Sequence, residues 1–110
     1  MNKNEKIYRI LSFLENKPDS TQREISKALN ISLGSTNYAI KSLIRKGFIK
    51  IDRFQRSHNK KGYLYLLTLS GLSTKASLAV KFINMKREEY KLIQEDINQA
   101  LEDIKASQKD

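Results

Sequence analysis

The sequence predicts a mainly α-helical protein with a small β-hairpin, divided into a globular part at residues 1–71 and a long C-terminal helix at residues 72–107. Three observations predict this fold class. Apolar residues recur at helical spacing in three short segments before residue 47, and apolar and polar residues alternate after residue 48. No glycine or proline occurs after Gly71, so nothing in the last part of the chain interrupts a helix.

The first two predicted helices are short. One spans residues 4–17 and ends at Pro18, which forces the preceding residue out of the helical region. The next begins at Thr21, which forms a capping-box pattern with Glu24, and ends at Asn30, a residue suited to a left-handed turn. The apolar positions expected to face inward are Ile7, Ile10, Leu11, Leu14, Ile25, Ala28 and Leu29.

The third predicted helix, Ser32–Lys46, has a buried stripe and a polar, basic outer face. Thr36, Ile40 and Leu43 form the stripe. Two short helices joined by a tight turn make a helix-turn-helix, in which side chains of the second helix reach base edges in the major groove. An ordinary surface helix with a solvated face is the alternative. The candidate DNA-binding residues here are Ser32, Gly34, Ser35, Asn37, Tyr38, Lys41 and Ser42.

A β-hairpin is predicted next, with strands at Phe48–Phe54 and Tyr63–Leu69 and a polar tip at Gln55–Gly62. A helix-turn-helix followed by a basic hairpin is a winged helix, whose wing lies along the phosphate backbone. The wing could instead be an ordinary solvated loop. The candidate DNA-binding residues in the wing are Arg53, Arg56, His58, Lys60 and Lys61, and Thr21 and Gln22 join them because a helix N-terminus favours a phosphate.

The C-terminal helix carries an apolar seam at heptad spacing. Eight of nine a and d positions are apolar or aromatic, and Lys86 is the exception. A helix of this length cannot bury such a seam against one small domain, so we expect two copies to pair through it, unless it folds back as two shorter helices. The candidate dimerisation residues are Ala76, Ala79, Ile83, Tyr90, Ile93, Ile97, Ala100 and Ile104.

The charge of the chain is concentrated in the globular part. The formal net charge is +9, with 14 Lys and Arg against 5 Asp and Glu up to Gly71 and 7 against 7 beyond it. This distribution predicts a polyanion partner for the globular part and a protein partner for the helix. The chain has no cysteine and one histidine, and no glycine-rich phosphate loop, so we expect no metal, cofactor or enzymatic activity. No segment has the apolar length of a bilayer-spanning helix, and the predicted location is the cytoplasm.

Three motifs together resemble the MarR-type winged-helix regulators. They are the recognition helix and following turn (residues 31–38 and 43–49), the junction Leu67-Thr68-Leu69-Ser70-Gly71, and the wing return Lys61-Gly62-Tyr63. The most similar group is the small MarR-like regulators associated with exopolysaccharide gene clusters. The resemblance implies a homodimeric regulator of transcription that binds double-stranded DNA. Typical MarR proteins are longer and dimerise through helices at both ends, whereas here the C-terminal helix is expected to carry the dimer.

The expected partners are therefore a palindromic DNA operator and a second copy of the chain. Asn37 is the best candidate for a bidentate contact to adenine, while the wing cations contact phosphates. An alternative function is that of a winged-helix adaptor whose long helix docks onto a different protein.

Overall fold

The computed structural model describes residues 1–56 and 60–109, and side chains outside residues 54–62. The described chain folds as a mainly helical protein with one two-stranded antiparallel hairpin, which confirms the predicted fold class. The elements in chain order are α1 (Lys3–Asn16), α2 (Gln22–Leu29), α3 (Leu33–Arg45), β1 (Ile49–Arg56), β2 (Lys60–Leu67) and α4 (Leu69–Ser107).

A single apolar core lies between the first three helices, the start of β1 and one position of α4. Most of its members belong to the predicted apolar positions, but Ala39 was not predicted. Ala28 was expected to face inward and is exposed. Burial of these side chains is the main favourable contribution to folding. The buried apolar residues are Ile10, Leu11, Leu14, Ile25, Ala39, Ile40, Leu43, Ile49 and Leu78.

Local hydrogen bonds and one left-handed residue define both ends of α2 and the start of α3. Thr21 caps α2 by accepting from the backbone N–H of Glu24 at 3.1 Å, and its hydroxyl donates to the Glu24 carboxylate at 3.2 Å. Asn30 ends α2 in the left-handed region at φ 56°, as its residue type predicts. Ser32 then caps α3 by accepting from Ser35 N–H at 3.0 Å. These caps place α3 immediately after α2 in a helix-turn-helix.

The hairpin extends further toward its tip than the sequence predicted. Its register pairs Ile49 with Leu67 at one end and Arg56 with Lys60 at the other. The base of β2 is also tied to the helical part, because Tyr65 N–H donates to the Pro18 carbonyl at 2.9 Å. The hairpin is therefore held against the segment that leads into α2.

The junction between the hairpin and α4 centres on Thr68. Its backbone N–H donates to the Phe48 carbonyl at 3.1 Å, and its hydroxyl donates to the Gly47 carbonyl at 2.6 Å and accepts from Gly71 N–H at 3.0 Å. Thr68 thus caps α4, and the helix begins at Leu69. The sequence prediction of a helix that starts at residue 72 was wrong, because Thr68 satisfies the first free N–H groups three residues earlier.

The first half of α4 packs along α1. Leu78 is buried in the core, the Phe82 ring stacks on Tyr8 with a centroid distance of 4.8 Å, and Lys75 pairs with Glu15. From Arg87 onward every described residue of the helix is exposed. The predicted division after residue 71 therefore cuts through an element whose N-terminal half belongs to the globular part.

Candidate nucleic-acid interface

The outer face of α3 is a polar and basic surface opposite the core. Thr36, Ile40 and Leu43 are buried, as predicted, and Tyr38 is 70% exposed on the other side of the helix. Lys41 is exposed as well. Successive residues of an α-helix are rotated by about 100°, so Tyr38 and Lys41 fall on the side opposite the stripe.

Arg45 belongs to the same face and was not among the residues predicted from the sequence. It is exposed at the last position of α3, four residues after Lys41, and so lies one turn along the same side of the helix. The i, i+4 spacing of the two cations was a signal that could have identified it. Gly34 lies exposed on this side at the other end of the helix, where a Cβ would have no heavy atom within 4 Å.

One flank of this face faces α2. Asn37 is half-buried, and its Nδ2 donates to Gln22 Oε1 at 3.0 Å. Gln22 is the first residue of α2, and its Nε2 donates to the Tyr65 hydroxyl at 3.5 Å. The structure therefore brings together Asn37 and Gln22, for which the sequence predicts different roles. Both are linked to Tyr65, a residue that is not among the predicted site residues.

The other flank faces α1. Ser35 and Ser42 are half-buried, and Ser35 Oγ accepts from Lys6 Nζ at 3.2 Å. Ser32 and Thr21 are exposed, with hydroxyls that already accept the capping hydrogen bonds of α3 and α2. Contacts of these four hydroxyls with DNA remain predictions.

The described part of the wing contributes two exposed cations, Lys50 and Arg53. Arg53 is exposed on β1, and its guanidinium carbon lies 5.9 Å from the ring centroid of Tyr63, its partner in the strand register. An arginine over an aromatic face is favoured by the ring quadrupole. The other predicted wing residues are not fully described by the structure. His58 lies outside the described residues, and the side chains of Arg56, Lys60 and Lys61 lie outside the described side chains.

The α3 face carries positive charge that no described ion pair neutralises. Among the described side chains, every ion pair lies within α1, within α4 or between these two helices. No described carboxylate therefore compensates the charge of Lys41 or Arg45. An uncompensated, exposed positive face attracts a polyanion.

A buried carboxylate lies where α1 meets α4. Glu5 is 7% exposed, with Lys86 Nζ at 3.3 Å and Arg9 Nε at 3.4 Å from its oxygens. Burial raises the pKa of Glu5, but hydrogen bonds and charge from Lys86 and Arg9 outweigh burial, so the pKa lies below its ordinary value of 4.5. Lys86, the polar exception in the predicted seam, therefore fixes α4 against α1.

The predicted dimerisation residues form an exposed apolar strip along α4. Ala79 is half-buried beside the globular part, and the other seven are exposed. Leu92 and Leu101, at 53% and 50% exposed, widen the strip. In a single chain nothing described covers these side chains beyond Arg87. The predicted residues are Ala76, Ala79, Ile83, Tyr90, Ile93, Ile97, Ala100 and Ile104.

The described residues were compared with the requirements of a metal site and of a membrane-spanning helix. They contain no group of three or more His, Cys, Asp or Glu side chains arranged to hold a metal ion. None of their helices combines the length and apolar character needed to cross a membrane.

Comparison with known proteins supports this architecture. Residues 3–50 match the model of the family described as winged helix-turn-helix DNA-binding. No curated protein sequence matches the chain.

Several solved structures share the fold at low sequence identity. A MarR/EmrR family transcriptional regulator from Acinetobacter sp. ADP1 superposes with a TM-score of 0.62 at 19% identity, over 92% of this chain and 72% of that one. The adhesin competence repressor AdcR of Streptococcus pyogenes gives 0.61 at 20% identity, over 92% and 78%. A MepR mutant from Staphylococcus aureus bound to an oligodeoxyribonucleotide gives 0.52 at 21% identity, over 90% and 78%. The chain therefore has the winged helix-turn-helix fold of MarR-family structures.

Proposed function

We propose that this chain is a sequence-specific, double-stranded-DNA-binding regulator of transcription that acts as a homodimer in the cytoplasm. The observation that carries the proposal is the outer face of α3, where Tyr38, Lys41 and Arg45 are exposed together opposite the core. The predicted absence of enzymatic activity agrees with this fold and with the family match.

The shape of this face suits the major groove of B-DNA. The groove is about 12 Å wide and admits one α-helix, with hydrogen-bonding groups of the base edges at its floor. The second helix of a helix-turn-helix enters it while the helix before it crosses the backbone. In this chain α3 is the second helix, and Lys41 and Arg45 extend from the face that would enter the groove.

The charge of the face suits the phosphate backbone. Each Lys or Arg that neutralises a phosphate releases condensed counterions, which favours binding at low salt. Arg53 on β1 is a described wing cation in a position to contact the backbone beside the helix. The wing residues Arg56, His58, Lys60 and Lys61 retain their predicted role as further backbone contacts.

The apolar strip on α4 supports the homodimer. Ile83, Tyr90, Ile93, Ile97 and Ile104 repeat at heptad spacing and are each about half or more exposed in the single chain. Pairing two such strips removes them from water, at roughly 25 cal/mol for each Å² of apolar area. Two copies related by a twofold axis would present two copies of α3 to a palindromic operator, about 34 Å apart.

The genes regulated are suggested by the resemblance alone. The motifs shared with the MarR-like regulators of exopolysaccharide clusters point to genes of exopolysaccharide synthesis. Sequencing of the promoters that the protein retains from genomic DNA would test this part of the proposal.

The test of the function is DNA selection followed by a salt titration. Duplexes enriched by the wild-type protein should bind it far more tightly than scrambled duplexes do. Replacing Lys41 and Arg45 together with alanine should weaken this binding strongly. The slope of log K against log salt should fall by about 0.9 for each phosphate that the variant no longer neutralises. Binding can be followed by fluorescence anisotropy of labelled duplexes.

Lys105→Ala together with Lys109→Ala is the matched control, because it also removes two exposed cations, from the C-terminal end of the described chain. It should leave affinity and salt slope close to wild type. Equal effects of the control and the α3 variant would show that only net charge matters. Failure to enrich any sequence would contradict the proposed function and favour the adaptor alternative.

A further inference from the structure

Three polar side chains from three elements form a connected chain beside the recognition face. Asn37 of α3 donates through Nδ2 to Gln22 Oε1 at 3.0 Å, and Gln22 donates through Nε2 to the Tyr65 hydroxyl of β2 at 3.5 Å. All three residues are half-buried. The wing strand, α2 and the recognition helix are thus joined by side-chain contacts at one place.

We propose that Gln22 is a positioning residue that orients the Asn37 amide to select adenine at one position of each half-site. This inference rests on the proposed function, since it concerns how the same α3 face distinguishes bases. It replaces the phosphate contact predicted for Gln22 from its place at a helix N-terminus.

The chemistry of the two amides explains the orientation. The carbonyl oxygen of Gln22 only accepts hydrogen bonds, so the group that Asn37 turns toward it must be the NH₂. This determines which side of the Asn37 amide carries Oδ1. The proposal assigns to Gln22 the N–H that points away from Oδ1, so that the second N–H lies beside Oδ1 and is available together with it. A neighbouring donor and acceptor match adenine, which presents the N7 acceptor and the N6 amino donor in the major groove.

The position of Gln22 is itself restrained. It is the first residue of α2, directly after the Thr21 cap, so its backbone is fixed by the start of the helix. Its own NH₂ is directed at the Tyr65 hydroxyl. The Tyr65 backbone is held in turn by the hydrogen bond from its N–H to the Pro18 carbonyl at 2.9 Å. A side chain whose rotamer is locked by its neighbours positions a recognition group better than a free one does.

Removal of the Gln22 acceptor should therefore leave Asn37 in place but free to rotate its amide. A rotating amide presents its donor and acceptor in both orders, and the preference for adenine is lost. Affinity for phosphates does not depend on that orientation. The structure thus separates two readouts, base discrimination at one position and the affinity for all duplexes alike.

The experiment measures binding to the duplex selected by the wild-type protein and to the same duplex with each base pair changed in turn. Asn37→Ala identifies the base pair that depends on Asn37, as the position where discrimination falls by roughly tenfold or more. Gln22→Leu, which has no acceptor, should lose discrimination at that same position with an unchanged salt slope. Gln22→Glu keeps an oxygen acceptor for Asn37 and should retain the discrimination, while its negative charge weakens binding to all duplexes.

Tyr65→Phe and Tyr63→Phe form a matched pair on β2. Loss of the Tyr65 hydroxyl releases Gln22 and should reduce discrimination at the Asn37 position, whereas loss of the exposed Tyr63 hydroxyl should not. Circular dichroism melts of each variant separate this effect from unfolding.

Several outcomes would overturn the inference while leaving the proposed function in place. One is full discrimination by Gln22→Leu at the position that depends on Asn37. Another is an equal loss of affinity of Gln22→Leu for all duplexes with discrimination intact, which would make Gln22 a phosphate contact. Loss of discrimination at a different base pair would make Gln22 a direct reader of its own base. A wild-type protein that prefers no duplex would overturn both the inference and the proposed function.

Discussion

Replacing Gly71 with alanine should detach the start of α4 from the turn before β1. Gly71 is the third residue of α4, and a Cβ built on it would lie 2.0 Å from the carbonyl oxygen of Phe48, where ordinary contact begins at 3.4 Å. The obstacle is backbone, so neither side can rotate away. The same oxygen accepts the hydrogen bond from Thr68 N–H, and a shift large enough to relieve the clash would break that bond as well.

The expected loss of stability combines these two costs. Overpacking of a rigid site costs about 1–3 kcal/mol. Loss of a backbone hydrogen bond costs about 0.5–1.5 kcal/mol. We therefore expect Gly71→Ala to lower the free energy of unfolding by about 1.5–4.5 kcal/mol. At about 4 °C per kcal/mol for a chain of this size, this lowers Tm by roughly 6–18 °C. Thermal melts followed by far-ultraviolet circular dichroism measure this, at equal protein concentrations because dimerisation makes Tm concentration-dependent.

Gly34→Ala is the matched control. A Cβ at Gly34 would have no heavy atom within 4 Å, and the residue is also helical. Alanine stabilises a helix by about 0.5–1 kcal/mol relative to glycine, so Gly34→Ala should keep or slightly raise Tm. The reasoning about this junction would be refuted if Gly71→Ala were as stable as wild type. It would also be refuted if both variants lowered Tm by the same amount.

Two further changes test the α1–α4 contact and the dimer. Glu5→Gln should destabilise the protein at neutral pH, and the loss of stability relative to wild type should shrink as pH falls below about 4.5, since a carboxyl with a lowered pKa contributes stability that is lost on protonation. Urea titrations across pH measure this, with the exposed Glu102→Gln as control. A loss of stability independent of pH would contradict it. Replacing both Ile97 and Ile104 with glutamate should give a monomer by light scattering, because two charges would enter the apolar seam. The control Asn98→Glu, at an exposed position, should remain dimeric. An unchanged molecular mass of the double variant would contradict the assignment of the seam.

Most of the fold could be predicted from local sequence signals. The caps at Thr21 and Ser32, the left-handed turn at Asn30 and the stop before Pro18 each depend on neighbouring residues, and the structure has them as predicted. The start of α4 could not be found in this way. Thr68 acts as the cap because its hydroxyl and N–H meet the carbonyls of the turn before β1, some twenty residues away in sequence.

The candidate interface was predicted in outline but not in its connections. Exposure of Tyr38 and Lys41 follows from helical periodicity, and Arg45 could have been added by the same rule. The contact between Asn37 and Gln22 depends on how α2 crosses α3, which the spacing of apolar residues does not determine. Likewise Lys86 disturbs the heptad pattern for a reason visible only in three dimensions, its pairing with the buried Glu5.

The arrangement of two recognition helices on one duplex can be measured directly by changing the spacing of the two half-sites in a selected operator. We expect two chains per duplex on inverted half-sites about one helical turn, or about 34 Å, apart. Inserting about half a turn of DNA between them should reduce the affinity to that of a single half-site, because the second site then lies on the opposite side of the duplex. Binding of one chain per duplex, or an affinity unchanged by the insertion, would contradict a paired molecule reading DNA through its two copies of α3.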